Sequence, residues 1–223
     1  MAGVVIMGAG HAGAQAAKTL RQEGWRGAIT LVGAETEPPY QRPPMSKNIL
    51  TGVKTLSDCR LFETSFLERH EIKLRAGTRA VTIDRKRQEI SLENGSRLPY
   101  GRLLLTTGAE PRRLTVPETS PSDIQYLRSA SDTHRLADII CRRRRLIVIG
   151  GGFIGLEVAA AAASAGCEVT VIEAGARLVM RSVPAEIEML LAARHRAAGV
   201  TFHLNRKRRA CDGRATASRS MGV

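Results

Sequence analysis

Val4-Val5-Ile6-Met7-Gly8-Ala9-Gly10-His11-Ala12-Gly13 stands near the start of the chain, and its form returns at Leu146-Ile147-Val148-Ile149-Gly150-Gly151-Gly152-Phe153-Ile154-Gly155. Each stretch is an apolar run followed by G-x-G-x-x-G and then a helix-forming run. The spacing has a physical logic. The first glycine permits a sharp turn from strand to helix. The second, lacking a side chain, lets a pyrophosphate approach the backbone. The third lets helix and strand pack closely. Unpaired N–H groups and the positive helix end then face the phosphates.

An acidic residue at the end of the next strand completes such a site, because it binds a ribose hydroxyl. After Gly13 a helical stretch, Ala14 to Glu23, leads to the strand Ala28 to Val32, and Glu35 follows. After Gly155, Leu156 to Ala165 leads to Glu168-Val169-Thr170-Val171-Ile172 and then Glu173. Strand, turn, helix, strand and acid thus occur twice in order. The competing reading, glycines kept only for tight packing, does not account for the repeated acid. Two dinucleotide sites in one chain point to chemistry passing between them. A carboxylate at Glu173 repels a 2′-phosphate and favours NAD over NADP, although Arg177 and Arg181 lie nearby and oppose that preference.

The 223 residues suffice for one large domain or two small ones. Hydrophobic content of 43% is ordinary for a globular protein, and no apolar run is long enough to span a bilayer. No signal-peptide pattern precedes the first strand, so a cytoplasmic location is expected. Cys59, Cys141, Cys167 and Cys211 are scattered; no metal site is expected, and buried thiols are the default. The net charge of +13 gathers partly in Arg142 to Arg145 and Arg206-Lys207-Arg208-Arg209. A solvated surface, an acidic protein partner or nucleic acid would each suit such charge, but no nucleic-acid recognition motif accompanies it.

Between the two units, Pro38 to Pro44 reads as a stiff loop, with Ser46 placed to cap a short helix. Glu63 to His70 reads as a helix and Ile72-Lys73-Leu74 as a strand. Ala80 to Leu92 alternates about a polar turn at Arg85-Lys86-Arg87, and Asn94-Gly95 marks another turn. Leu103 to Thr106 reads as a buried strand. Pro111 and Pro117 mark a linker. Ser129 to Ile140 and Pro184 to Ala197 read as helices, and Val200 to His203 as a strand. From Arg206 onward the composition is basic and small, and residues 206–223 are expected to form a disordered tail.

These stretches resemble the FAD-dependent pyridine nucleotide-disulfide oxidoreductases, in particular the ferredoxin, putidaredoxin and rubredoxin reductase branch. The resemblance runs from Val4 to Asn205. Its most specific part is Tyr40-Gln41-Arg42-Pro43-Pro44-Met45-Ser46-Lys47, which is similar to R-P-P-L-S-K with methionine for leucine. Thr106-Thr107-Gly108-Ala109-Glu110-Pro111-Arg112 is similar to A-T-G-A-x-P-R, with threonine for the first alanine. Gly150 to Glu157 follows G-G-G-x-I-G-x-E.

The resemblance implies an α/β fold of two Rossmann-like, three-layer ββα units, incomplete at the C-terminus: an FAD-binding part over 1–112 and an NAD(H)-binding part over 113–205. Gly8, Gly10, Gly13 and Glu35 would hold the FAD pyrophosphate and adenosine ribose. Arg42 and Lys47 would lie along the flavin, with Thr107, Gly108 and Arg112 also touching FAD. Lys47 would pair with Glu157, the two serving as catalytic residues. Gly150, Gly152, Gly155 and Glu173 would hold NAD. The implied activity is NADH-dependent electron transfer through FAD to a [2Fe-2S] ferredoxin-type protein with an acidic surface.

Disulfide-reducing relatives need a close cysteine pair, which this sequence lacks. Also lacking are the returning FAD segment with its Gly-Asp pair and the domain that covers the flavin, so a truncated product is expected. Two other readings stay open: a non-catalytic nucleotide-binding remnant, and a basic interaction protein.

Overall fold

The computed structural model describes residues 3–63, 65–114, 123–142 and 145–206. The expected basic tail beyond Arg206, Pro117 and Cys211 fall outside them. The described chain is α/β with parallel sheets, as the doubled glycine motif requires, and it divides into two compact units. One comprises residues 1–110 and 128–134, the other residues 111–127 and 135–223.

In the first unit, β1 (Val4–Met7) leads through the glycine turn to α1 (His11–Gln22) and β2 (Ile29–Val32). After a long connection come α2 (Phe66–Arg69), β3 (Ile72–Arg75), and the strands β4 (Ala80–Asp84), β5 (Glu89–Leu92), β6 (Arg97–Pro99) and β7 (Arg102–Leu105). Four strands form a parallel sheet in the order β3-β2-β1-β7, and β4-β5-β6 form an antiparallel one.

All four residues of β1 are buried, because the sheet is covered on both faces. Val4 and Ile6 pack with Ala17 of α1 and with Ile29, Leu31 and Ile72. Val5 and Met7 face the other way and pack with Val32, Ile90, Leu92 and Tyr100. The first unit is therefore a three-layer stack of helix, parallel sheet and antiparallel sheet.

The polar turn before β5 forms as the sequence predicts: the Lys86 and Arg87 N–H groups donate to the Asp84 carboxylate at 3.0 and 2.9 Å. At the next turn Gly95 has φ +81° and the Asn94 side chain accepts from the Ser96 N–H.

The second unit contains most of α3 (Ala130–Arg142), then β8 (Arg145–Ile149), α4 (Phe153–Ser164), β9 (Glu168–Ile172), α5 (Ala185–Ala197) and β10 (Thr201–His203). Its strands form a parallel sheet in the order β10-β9-β8. Val148 is buried while Ile147 and Ile149 are exposed, so only one face of β8 is covered among the described residues. No described helix is long and apolar enough to cross a membrane, and no described cluster of side chains could hold a metal ion.

Four sequence expectations need correction. Ser46 does not start a helix; it ends a 3-10 turn over Pro43–Ser46, because Pro43 and Pro44 are themselves suited to open one. The helix expected over 63–70 is the single turn α2. The strand expected to be buried, β7, lies at the sheet edge: Leu104 and Leu105 are 38% and 58% exposed, since no described strand pairs beyond it. Cys59 and Cys167 are buried as expected, but Cys141 is exposed near the end of α3.

Candidate functional site

The first glycine turn bends where its sequence says it must. Gly8 has φ +111°, a conformation that L side chains rarely adopt. A Cβ on Gly13 would lie 1.9 Å from the Gly8 carbonyl oxygen, so the third glycine is required for helix and turn to meet. Thr106 fastens the same spot: its hydroxyl donates to the Gly8 carbonyl at 2.8 Å, with the Met7 carbonyl at 3.1 Å. A Cβ on Gly10, by contrast, would meet only the Arg42 guanidinium at 3.9 Å. The backbone at the second glycine is open to a ligand.

This turn forms one wall of a cavity of about 300 Å³. Gly8, Gly10, Glu35, Arg42, Thr107 and Gly108 all line it, so the fold gathers six of the predicted first-site residues. Gly13 lies behind that wall, in α1. Lys47 follows the 3-10 turn and is exposed. Arg112 falls in the second unit.

The sequence reading did not single out Tyr40, Arg128 or Thr106 as lining residues, because long connections bring them to the cavity. At Gly108, φ is +71°, and a Cβ there would meet the Arg128 guanidinium at 2.9 Å.

Glu35 is tightly held. Its Oε2 accepts the Tyr40 phenolic hydrogen at 2.5 Å, and its Oε1 accepts from Arg42 Nη2 at 2.6 Å. The Arg42 Nη1 group donates to the Arg128 carbonyl and, at 3.3 Å, to the Tyr40 oxygen. Burial, and then the hydrogen bond to Glu35, push the Tyr40 phenol well above the usual tyrosine range. The phenol therefore keeps its proton and remains a donor to Glu35.

The second glycine turn repeats the design. Gly150 has φ +108°, and a Cβ on Gly155 would sit 2.0 Å from the Gly150 carbonyl oxygen. A Cβ on Gly152 would meet nothing within 4 Å. Glu173 spans the turn: its carboxylate accepts from the Gly151 and Gly175 N–H groups, both at 2.6 Å. The Arg177 guanidinium turns into its own loop and donates to the Val183 and Met180 carbonyls at 3.0 and 3.3 Å. Glu157 lies on α4, half-buried, in the unit that does not contain Lys47.

Charge placement separates the two glycine-turn helices from α5. Neither α1 nor α4 carries an acidic residue in its first turn. On α5, Glu186 and Glu188 sit at the start and Arg194, His195 and Arg196 at the end, which compensates the helix dipole. Leaving the N-termini of α1 and α4 uncompensated keeps them attractive to an anion. Open glycine backbones, free helix starts and fixed carboxylates together fit a dinucleotide at each turn.

Comparison with known proteins agrees with this geometry. The chain is 42% identical over 211 residues to the rubredoxin-NAD(+) reductase of Pseudomonas putida, covering 95% of this chain and 55% of that protein. The ferredoxin reductase for the CYP199A2 system from Rhodopseudomonas palustris superposes with a TM-score of 0.88 at 39% identity, covering 92% of this chain and 50% of that one. The covalent putidaredoxin reductase–putidaredoxin complex gives a TM-score of 0.86 at 38% identity over 92% of this chain and 50% of that one. The chain thus spans about half the length of the curated relatives it matches. The sequence profile of the pyridine nucleotide-disulphide oxidoreductases matches residues 2–221. With both of its glycine turns built for a dinucleotide, the chain belongs to the pyridine nucleotide-disulphide oxidoreductase family.

Proposed function

We propose that this chain carries the two nucleotide sites of an NADH-dependent FAD flavoprotein reductase that delivers electrons to a ferredoxin-type iron–sulfur protein. The observation that carries the reading is the doubled turn, each copy with an open second glycine and a fixed acid at the end of the following strand. FAD belongs to the first unit and NADH to the second. A bound FAD would supply the chemistry that links the two-electron donor NADH to a one-electron acceptor.

The chain's own residues bind and orient. Gly8, Gly10 and Gly13 shape the first phosphate cradle, and Glu35 accepts the ribose hydroxyls. Lys47, Thr107 and Gly108 serve the flavin side, with Lys47 supplying a cation. Gly150, Gly152 and Gly155 form the second cradle. Glu173 receives the NAD ribose and disfavours a 2′-phosphate. The net charge of +13 suits an acidic [2Fe-2S] acceptor and a steered encounter in the cytoplasm.

A second reading is a binding remnant that holds nucleotides without turnover. It is favoured by the exposed apolar residues Leu105, Ile147 and Ile149 on the two parallel sheets. One experiment separates the readings. The purified chain is loaded with FAD, and its visible spectrum is recorded before and after anaerobic NADH. Protein-bound flavin bands that bleach with NADH support the reductase; bound flavin that does not bleach supports binding without turnover; no bound flavin overturns the assignment of FAD to the first unit.

A further inference from the structure

We infer that Tyr40 is a positioning residue that sets the Glu35 carboxylate for the adenosine ribose, so that part of the chain's affinity for FAD passes through the hydrogen bond from this phenol to that carboxylate. The inference rests on the reading that the first unit takes FAD. Tyr40 is only 4% exposed, and its oxygen is the meeting point of three segments. It donates to Glu35 after β2, accepts the Ala130 N–H at 2.9 Å from the start of α3, and lies 3.3 Å from Arg42 Nη1 on its own loop.

The loop around Tyr40 is itself anchored. Gln41 donates to the Cys59 carbonyl at 2.8 Å, Leu61 donates to the Pro39 carbonyl at 2.9 Å, and Tyr40 bridges Arg60. The phenol is therefore held by backbone on both sides, and Glu35 takes its orientation from it.

The carboxylate is half-exposed and stands at the cavity wall, where an unsupported glutamate would sample several rotamers. With Oε2 held by Tyr40 and Oε1 by Arg42, each oxygen of this cavity-lining carboxylate keeps capacity for a further donor. A ribose that presents its hydroxyls there meets a carboxylate already in place, which lowers the entropy cost of binding. Tyr40 thereby favours a flavin that carries an adenosine ribose.

The test is a ligand–variant cycle on the full chain, using FAD and an FAD analogue with 2′-deoxyadenosine, both followed by flavin fluorescence. The wild-type chain is expected to bind FAD about tenfold more tightly than the analogue. Tyr40→Phe is expected to lose about tenfold affinity for FAD and to bind the analogue within about twofold of wild type. Equal losses for both ligands would mean that Tyr40 only supports the fold, and overturn the inference. So would an unchanged affinity for FAD.

If Tyr40→Phe is poorly folded, Tyr40→His supplies a second arm: its ring N–H can still donate to Glu35, so the preference for FAD over the analogue should stay within about threefold of wild type, whereas equal affinity for the two ligands overturns the inference. A wild-type chain that binds neither ligand overturns the FAD reading, and the role of Tyr40 with it. A wild-type chain that binds both equally overturns the Tyr40 role alone.

Discussion

Replacing Gly155 with alanine pits two known effects against each other. Gly155 lies in the first turn of α4, where alanine is intrinsically preferred over glycine by up to about 1 kcal/mol. The added Cβ, however, would stand 2.0 Å from the Gly150 carbonyl oxygen and 3.3 Å from Val148 Cγ1. An ordinary carbon–oxygen contact needs about 3.3 Å, so helix and turn must part by more than about 1 Å. The obstacle is backbone and cannot swing aside, so the overpacking cost of about 1–3 kcal/mol outweighs the propensity gain. We expect a fall in thermal midpoint of about 4–10 °C.

Gly152→Ala makes the contrast. Its Cβ meets nothing within 4 Å and its backbone is extended, at φ −80° and ψ 178°. The weaker N-cap and the stiffer unfolded chain offset each other, each at under about 1 kcal/mol. Stability should hold, while NADH affinity drops about tenfold or more, because the methyl group occupies the phosphate approach. Thermal melts and NADH fluorescence titrations of both variants decide the matter. A Gly155→Ala chain as stable as wild type, or a Gly152→Ala chain that binds NADH normally, would refute the reasoning.

Other perturbations probe the rest of the chain. Glu173→Ala leaves the Gly151 and Gly175 N–H groups without their acceptor, so it should destabilise the second unit by about 1–3 kcal/mol and weaken NADH binding; urea unfolding and titration read the two effects separately. Arg21 donates to the carbonyls of Trp25, Gly27, His70 and Glu71, a fork that lysine cannot reproduce, so Arg21→Lys should lower the urea midpoint with NADH affinity unchanged. The raised Tyr40 phenol has a signed consequence for stability. Protons stay bound to the folded state after the unfolded chain begins to lose them near pH 10, so wild-type stability should fall above that pH more steeply than that of Tyr40→Phe. Parallel slopes for the two proteins between pH 9 and 11 would contradict this.

The two glycine turns were legible in the sequence because their constraints are local. The φ of Gly8 and Gly150, and the collisions that bar a side chain at Gly13 and Gly155, arise within a few residues of one another. Residue type at fixed spacing therefore determined strand, turn, helix and acid in both units. Alternation and turn residues likewise marked the β4–β5 hairpin and the turn that follows it, though not β6. Burial was less legible. Leu103 to Leu105 read as a core strand by apolarity, yet exposure depends on what lies beside β7, which the segment does not encode. The same holds for Cys141, whose setting depends on what α3 turns toward solvent.

The first site shows the division most clearly. Sequence spacing named Glu35, but only the tertiary structure joined it to Tyr40 and Arg42 and brought the Arg128 carbonyl and the Ala130 N–H to the same cluster from more than 80 residues away. Such contacts depend on loop closure and packing, and they carry no periodic signature. What the sequence determined was where the backbone of each turn lies open, because that is set by the atoms a glycine lacks. What only the fold decided was how Glu35 is held: Tyr40 and Arg42, near it in sequence, are themselves fixed by the Ala130 N–H and the Arg128 carbonyl, which packing brings in from a distant segment.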